Sequence, residues 1–236
     1  MGKLVDYRKG VAKEIGPGVG QVAITGGEGK HMQADVLRLQ ANGRLEAAVP
    51  ARSDQYFYVL SGEAVLTVDR DRYVLGEGRF GMLQEGKRYT IAGSRAPVEV
   101  LSVLAPPPAS SADVPGFTGG VKVMLKDAEP LDDIPAQKKQ RIYFVTPKTC
   151  GSKRAHAMIV KYVPETETTL HAHPDAESLF VFLDGTTRVT VNGSESRVTL
   201  GQAAFFPCGD NHSLHGDTGR SNFLEFHVPY GYTTVR

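Results

Sequence analysis

Cysteine is scarce in this 236-residue chain: Cys150 and Cys208 are the only two. Two thiols do not make a disulfide framework, so a packed core must hold the fold. Each reads as a small buried thiol, although Cys208 draws notice four residues before His212. An excess of one charge is also lacking. Lys and Arg total 27, Asp and Glu 26, and the net charge is +1. That balance excludes the basic footprint of a nucleic-acid or acidic-membrane partner. No run approaches the roughly 18 apolar residues of a membrane-spanning helix. The opening "MGKLVDYRKGVAKE" has no apolar core like that of a secretory signal. Asp6 stands where a myristoylation motif asks for Ser or Thr. A cytoplasmic protein is the expectation. Long amphipathic helices are missing as well, which turns attention to strands.

What is present is a repeat. "YFYVLSGEAVLTVDRDRYVLGEGRFGML" (56–83) aligns without gaps with "LFVFLDGTTRVTVNGSESRVTLGQAAFF" (179–206), at a constant offset of 123. Phe57 falls on Phe180, Leu60 on Leu183, Gly62 on Gly185, Thr67 on Thr190 and Val68 on Val191. Gly78 falls on Gly201, and the register carries on to Gly86 and Gly209. Such self-similarity argues for one fold used twice. "APPPASSADVPGFTGG" (105–120) has the composition of a connection between the copies. "VLTV" and "RVTVNGSESRVTL" alternate apolar and polar residues with period two. Asn192-Gly193 marks a hairpin between two such runs. The chain therefore reads as all-β, with two tandem sandwiches or barrels of about 100 residues each.

The histidines cluster in the second copy. His171 and His173 stand in "HAHPDAE", and His212 closes "PCGDNH". Side chains at i and i+2 on a strand share a face, as two ligands of one ion must. Glu177 and His212 could complete the set, with Pro207 and Gly209 shaping the turn that delivers His212. Imidazole and carboxylate donors suit Fe(II), Mn(II), Ni(II) or Zn(II), with positions left open for substrate.

"ETETTLHAHPDAESLFVFLDG" (165–185) and "GQAAFFPCGDNHSLHG" (201–216) resemble the two motifs of the cupin superfamily. The match covers most of residues 155–230 and is closest at Gly201, Pro207, Gly209 and His212. Three positions depart from the family pattern. Glu165 replaces its first glycine and Gly216 its final asparagine. Seven residues, rather than six, separate Glu177 from Gly185. One extra residue turns a strand side chain to the other face. Either a bulge near 174–178 keeps Glu177 on the metal, or Ser178 points inward and the site is three histidines. In the first copy, His171, His173, Glu177 and His212 correspond to Ala48, Pro50, Asp54 and Tyr89. The chain thus resembles a bicupin of two jelly-roll β-barrels. Residues 1–110 form a degenerate domain without metal ligands, and 111–236 a metal-binding one.

The resemblance implies one divalent ion, Fe(II) or Mn(II), with Ni(II) or Zn(II) acceptable to the same donors. A dioxygenase-type oxidoreductase reaction on a small organic molecule is the leading expectation. A Mn(II)-dependent hydrolase, decarboxylase or isomerase is the alternative; ureidoglycine aminohydrolases are bicupins of this plan. A non-catalytic small-molecule-binding cupin is the third reading. The expected partners are a small-molecule substrate and a second copy in a homodimer. His215 is a candidate acid–base residue near the metal. His227 reads as a satisfied core histidine. Phe180, Phe182, Phe205, Phe206 and Phe226 read as barrel packing. Arg188 and Arg197 are candidates to clamp a carboxylate. "QKKQR" (137–141) reads as a solvated connector.

Overall fold

The computed structural model describes all residues except 109, 111–113, 115, 117–122 and 128–131, together with the side chains of 132 and 133. Much of the connection expected at 105–120 therefore lies outside the described residues. Among the described residues the longest helix is the four-residue Pro147–Cys150, and the rest of the regular structure is almost wholly strand. None of the helices is long and apolar enough to cross a membrane.

In chain order the strands are β1 (Lys3–Asp6), β2 (Lys13–Gly16), β3 (Val19–Ala23), β4 (Gln33–Leu39), β5 (Arg44–Ala48) and β6 (Asp54–Ser61). There follow β7 (Glu63–Val68), β8 (Asp71–Gly76), β9 (Phe80–Leu83), β10 (Arg88–Gly93), β11 (Val98–Ala105) and β12 (Val123–Lys126). The second series is β13 (Asp132–Ile134), β14 (Lys139–Val145), β15 (His156–Tyr162), β16 (Glu167–His171) and β17 (Glu177–Asp184). It ends with β18 (Thr186–Val191), β19 (Ser194–Thr199), β20 (Gln202–Phe206), β21 (His212–Gly216) and β22 (Ser221–Val228).

The chain divides into two units. One comprises Gly10–Ala128 with Cys150–Arg154; the other comprises Met1–Lys9, Glu129–Thr149 and Ala155–Arg236. Each is a double-sheet β-structure with the same strand order. The first unit has a seven-stranded sheet β12-β9-β6-β11-β4-β3-β2 and a four-stranded sheet β5-β10-β7-β8. The second has β1-β20-β17-β22-β15-β14-β13 and β16-β21-β18-β19. The units depart from a division at residue 110 because of their edge strands. β1 pairs with β20 in the second unit, while β12 pairs with β9 in the first. Each covers an edge that would otherwise present open backbone groups.

The repeated glycines have a backbone reason. Gly62, Gly78 and Gly86 and their partners Gly185, Gly201 and Gly209 all have φ between 68° and 94°. A Cβ at Gly185 would also lie 2.0 Å from the carbonyl oxygen of Arg220. Only glycine meets that turn without strain. Asn192 and Gly193, at φ 52° and 77°, close the β18–β19 hairpin beside the Val191–Ser194 pair. Two positive φ values are what a two-residue hairpin turn needs.

Alternation then sorts the side chains. Phe180 and Phe182 of β17 enter the second unit's core with Phe206, Phe223, Met158, Val160, Val189 and Leu214. Phe205 and Phe226 are equally buried but belong to the other faces of β20 and β22, outside that cluster. In the first unit Phe57 and Val59 face the core, where Tyr89 packs edge-on against Phe57 at 5.3 Å.

Candidate metal centre

β16 and β21 run antiparallel, with Thr168 opposite Leu214 and His171 opposite His212. Thr169 and Leu170 on β16 thus oppose the single residue Ser213 on β21, a bulge that turns His171 onto the inner face. Beyond it, Ala172 forms a two-way backbone bridge with Val235, at 2.9 and 3.0 Å. That bridge keeps the chain extended, so His173 projects beside His171. The second motif docks here too: the Gly209 amide donates to the His173 carbonyl at 2.8 Å.

The result is a buried group of three imidazoles. Ligand-capable atoms of His171, His173 and His212 lie within 4.8 Å of one another. Ring centroids are 4.3 Å apart for His171–His212, 4.9 Å for His171–His173 and 5.4 Å for His173–His212. Each Nδ1 donates to a backbone carbonyl. His171 reaches Thr169 at 2.7 Å, His173 reaches Thr233 at 2.9 Å and His212 reaches Asp210 at 3.0 Å. A carbonyl only accepts, so Nδ1 carries the proton and Nε2 keeps its lone pair. The Nε2 of His212 is fully buried with no hydrogen-bond partner. An orphaned acceptor of this kind is costly unless something binds it.

Electrostatics point the same way. Burial, then the neighbouring His171, push the His212 imidazole down to about 3. Burial and His227 push His173 down to about 4, and burial lowers His171. All three are neutral donors at pH 7, which is the form that binds a metal. Phe206 stacks on His212 at 4.4 Å and Phe180 stands 5.6 Å away, giving the site a dry back wall.

Glu177 is not brought into this group. On β17 the even-numbered side chains face inward: Ser178 hydrogen-bonds Nδ1 of His227 at 2.9 Å, and Phe180 and Phe182 enter the core. Glu177 is buried on the face of Leu179 and Val181. Its counterpart Asp54 also lies off the core face of its strand, bound to Ser152 at 2.7 Å and Arg154 at 2.9 Å. The pairing of β17 with β22 is regular from Glu177 to Phe182 and shifts only between Phe182 and Asp184, so the extra residue before Gly185 is absorbed there and nothing near 174–178 turns Glu177 inward. In this structure Ser178 takes the inward position and Glu177, expected as a ligand, is not brought to the three imidazoles.

His215 is not brought there either. His212 and Leu214 take the inner face of β21, and His215 lies with Ser213 on the outer one, opposite Glu167 and Arg188. The acid–base role expected of it has no geometric basis. Arg188 pairs with Glu195 at 3.3 Å and Arg197 with Asp217 at 3.1 Å, both on the outer hairpin. They do not line the cavity.

A cavity of about 530 Å³ opens beside the imidazoles. Its wall holds residues the sequence reading passed over. Lys139 and Arg141, from "QKKQR", line it, as do Glu225, His227, Tyr232 and Arg236. Residues 139–141 of that segment open strand β14, after a 3-10 turn that ends at Gln137, so it is not wholly a solvated connector. His227 Nε2 donates to the Glu225 carboxylate at 2.6 Å. Burial works against the ionised acid, but that bond and the nearby charges hold Glu225 down at about 2. His156 is stacked between Tyr143 and Tyr232, and burial pushes it down to about 4. Asp175 braces the strap over His173. Its carboxylate accepts from the Thr233 amide at 2.8 Å and the Thr233 hydroxyl at 2.8 Å.

Comparison with known proteins follows this geometry. Residues 158–224 match the cupin domain family model. No curated protein matches the sequence. Among solved structures, protein Ylba from E. coli superposes with a TM-score of 0.79 at 12% identity, over 99% of this chain and 93% of that one. Lactobacillus farciminis oxalate decarboxylase, as a formate complex, gives 0.71 at 15%, over 98% and 87%. Bacillus subtilis oxalate decarboxylase, described with Mn(II) centres, gives 0.69 at 15%, over 98% and 78%. At these identities the likeness is one of fold.

Proposed function

We propose that the second unit, which matches the cupin domain family model over residues 158–224, is the catalytic half of a divalent-metal-dependent enzyme acting on a small organic substrate. His171, His173 and His212 are the protein's ligands in this reading. The observation that carries it is the convergence of three neutral imidazoles, each with Nδ1 engaged by a carbonyl. Metal-binding histidines are oriented in this way. Bound there, the ion supplies Lewis acidity and, as iron, a place for O₂ and substrate together.

The chain's own residues do the rest. The carbonyls of Thr169, Thr233 and Asp210 fix the tautomer of each ring. Phe180 and Phe206 keep water from the back of His212. The cavity beside the rings admits a substrate of modest size. Dioxygenase-type oxidation is the first reading of the reaction, since an all-histidine set with open positions suits Fe(II) and O₂. A second reading is Mn(II)-dependent decarboxylation or hydrolysis. The buried Glu225–His227 pair favours it, since it sets an acid–base couple on the same wall.

The test is anaerobic purification and loading with Fe(II) or Mn(II), followed by O₂ uptake over small carboxylates, diketones and catechols. Uptake with Fe(II) that is lost in His212→Ala supports the first reading. Turnover with Mn(II) and no O₂ uptake supports the second. A loaded protein that turns over none of these, yet binds them, contradicts catalysis in favour of a binding role.

A further inference from the structure

The cavity wall carries positive charge that only one nearby carboxylate, Glu225, partly answers, without a direct contact to either cation. On β14 the odd-numbered residues Lys139, Arg141 and Tyr143 face the second unit's interior, and Lys139 and Arg141 line the cavity. Arg141 is half-buried. Its one hydrogen bond among the described residues is a long contact from Nη1 to the Tyr143 hydroxyl at 3.5 Å. Its Nε is fully buried with no partner. No carboxylate among the described residues reaches salt-bridge distance of its guanidinium. Lys139 beside it makes its direct contacts with neutral groups, the Thr168 hydroxyl at 2.6 Å and the Tyr162 ring at 5.4 Å. The acid on the inner wall, Glu225, is committed to His227 at 2.6 Å.

A sheltered guanidinium with a single long hydrogen bond and a buried unpartnered Nε is costly, and a like charge beside it adds to the cost. The matching group is a planar anion that accepts two parallel N–H bonds. Arg141 makes no hydrogen bond with the three imidazoles, although His171 and His173 line the same cavity. Along the wall, His173 contacts Tyr232 at 4.7 Å, Tyr232 contacts His156 at 6.1 Å, and His156 stacks on Tyr143 at 5.7 Å. Arg141 lies at the far end of that row of rings.

We propose that Arg141, with Lys139 beside it, anchors a carboxylate of the substrate at the end of the cavity away from the three histidines. The substrate is then a small organic acid whose carboxylate is distinct from the group presented to the metal, with a flat or apolar stretch passing Tyr143, His156 and Tyr232. This names the substrate class of the site proposed above and rests on that reading. The anion contact itself needs no metal.

The experiment uses that independence. Chelator-treated full-length protein is titrated with benzoate, its neutral isostere benzamide and inorganic phosphate, by calorimetry or saturation-transfer NMR. Benzoate should bind at least about tenfold tighter than benzamide, and Arg141→Gln should lose about tenfold, the loss for one charge-assisted bidentate contact. The double variant His171→Ala/His173→Ala should keep benzoate binding within about threefold, because neither ring makes a hydrogen bond or ion pair with Arg141 or Lys139. Equal binding of benzoate to wild type and Arg141→Gln overturns the proposal. So does loss of binding in the double-histidine variant alone, or absence of benzoate binding in wild type. Phosphate binding tighter than benzoate assigns the fork to a phosphate instead and overturns the carboxylate. If Arg141→Gln does not fold, Arg141→Lys serves. It keeps the charge without the planar fork and should weaken benzoate by about threefold or more, and undiminished binding overturns the anchor. Failure of the wild type to hold a metal would strike the catalytic reading and leave this binding result standing.

Discussion

Replacing Asp175 by alanine should weaken metal binding without touching a ligand. Its carboxylate holds Thr233 through the amide, at 2.8 and 3.1 Å, and through the hydroxyl, at 2.8 Å. Thr233 in turn presents the carbonyl that accepts from His173 Nδ1 at 2.9 Å. Asp175 is exposed, so these bonds are screened, and together they are worth about 1 kcal/mol. Direct partners of metal-bound histidines are worth about 10- to 100-fold in affinity. Asp175 acts one step further out, and the Ala172–Val235 bridge still holds the strap. The expected loss is about three- to tenfold, or about 0.7–1.4 kcal/mol. Competition for Zn(II) or Co(II) against a chromophoric chelator measures it. Asp175→Asn keeps one acceptor oxygen and should fall between alanine and wild type. An Asp175→Ala protein that binds metal within about twofold of wild type would show that the strap does not orient His173.

Glu177→Gln should leave metal stoichiometry at the wild-type value, since the carboxylate faces away from the imidazoles; loss of the metal in elemental analysis would return Glu177 to the ligand set. The metal-free protein should lose stability on acidification. His156 sits near 4 when folded against 6.5 when free, so between those values the unfolded chain binds more protons. Its contribution is complete above about pH 6.5 and lost as pH falls to about 4, at most ~3 kcal/mol. Glu225, held at about 2, adds a loss of the same sign at lower pH. Urea unfolding at pH 7.5 and pH 5 reads the effect; His173 and His212, pushed down to about 4 and about 3, add to it with the same sign, so His156→Phe, which keeps the stacking, should reduce the slope without abolishing it. An unchanged pH slope in that variant would contradict the assignment.

The duplicated fold was legible because its punctuation is chemical. Glycines recur where φ is positive in both units, and Asn192-Gly193 names its own hairpin. The histidine triad was legible from His-x-His and the Pro-x-Gly turn before His212. The direction of Glu177 was not. It depends on where the extra residue is absorbed, and the register shift between Phe182 and Asp184 arises in pairing with β22, which the local sequence does not display. His215 failed for a related reason: strand alternation from His212 places it on the outer face. The basic run 137–141 read as a solvated connector because its charges mask a period-two pattern. Lys139, Arg141 and Tyr143 alternate with Gln140, Ile142 and Phe144, and only their pairing with β15 shows which set faces inward. The Thr233 carbonyl could not be anticipated, because the contact joins His173 to a residue 60 positions away.

The central claim is that the second unit holds one divalent ion on His171, His173 and His212. Elemental analysis of anaerobically purified wild type beside His171→Ala/His173→Ala tests it most directly. The account predicts about one equivalent of metal per chain in the wild type and almost none in the double variant, with both proteins showing the same β-sheet circular dichroism. A double variant that keeps a full equivalent would contradict it.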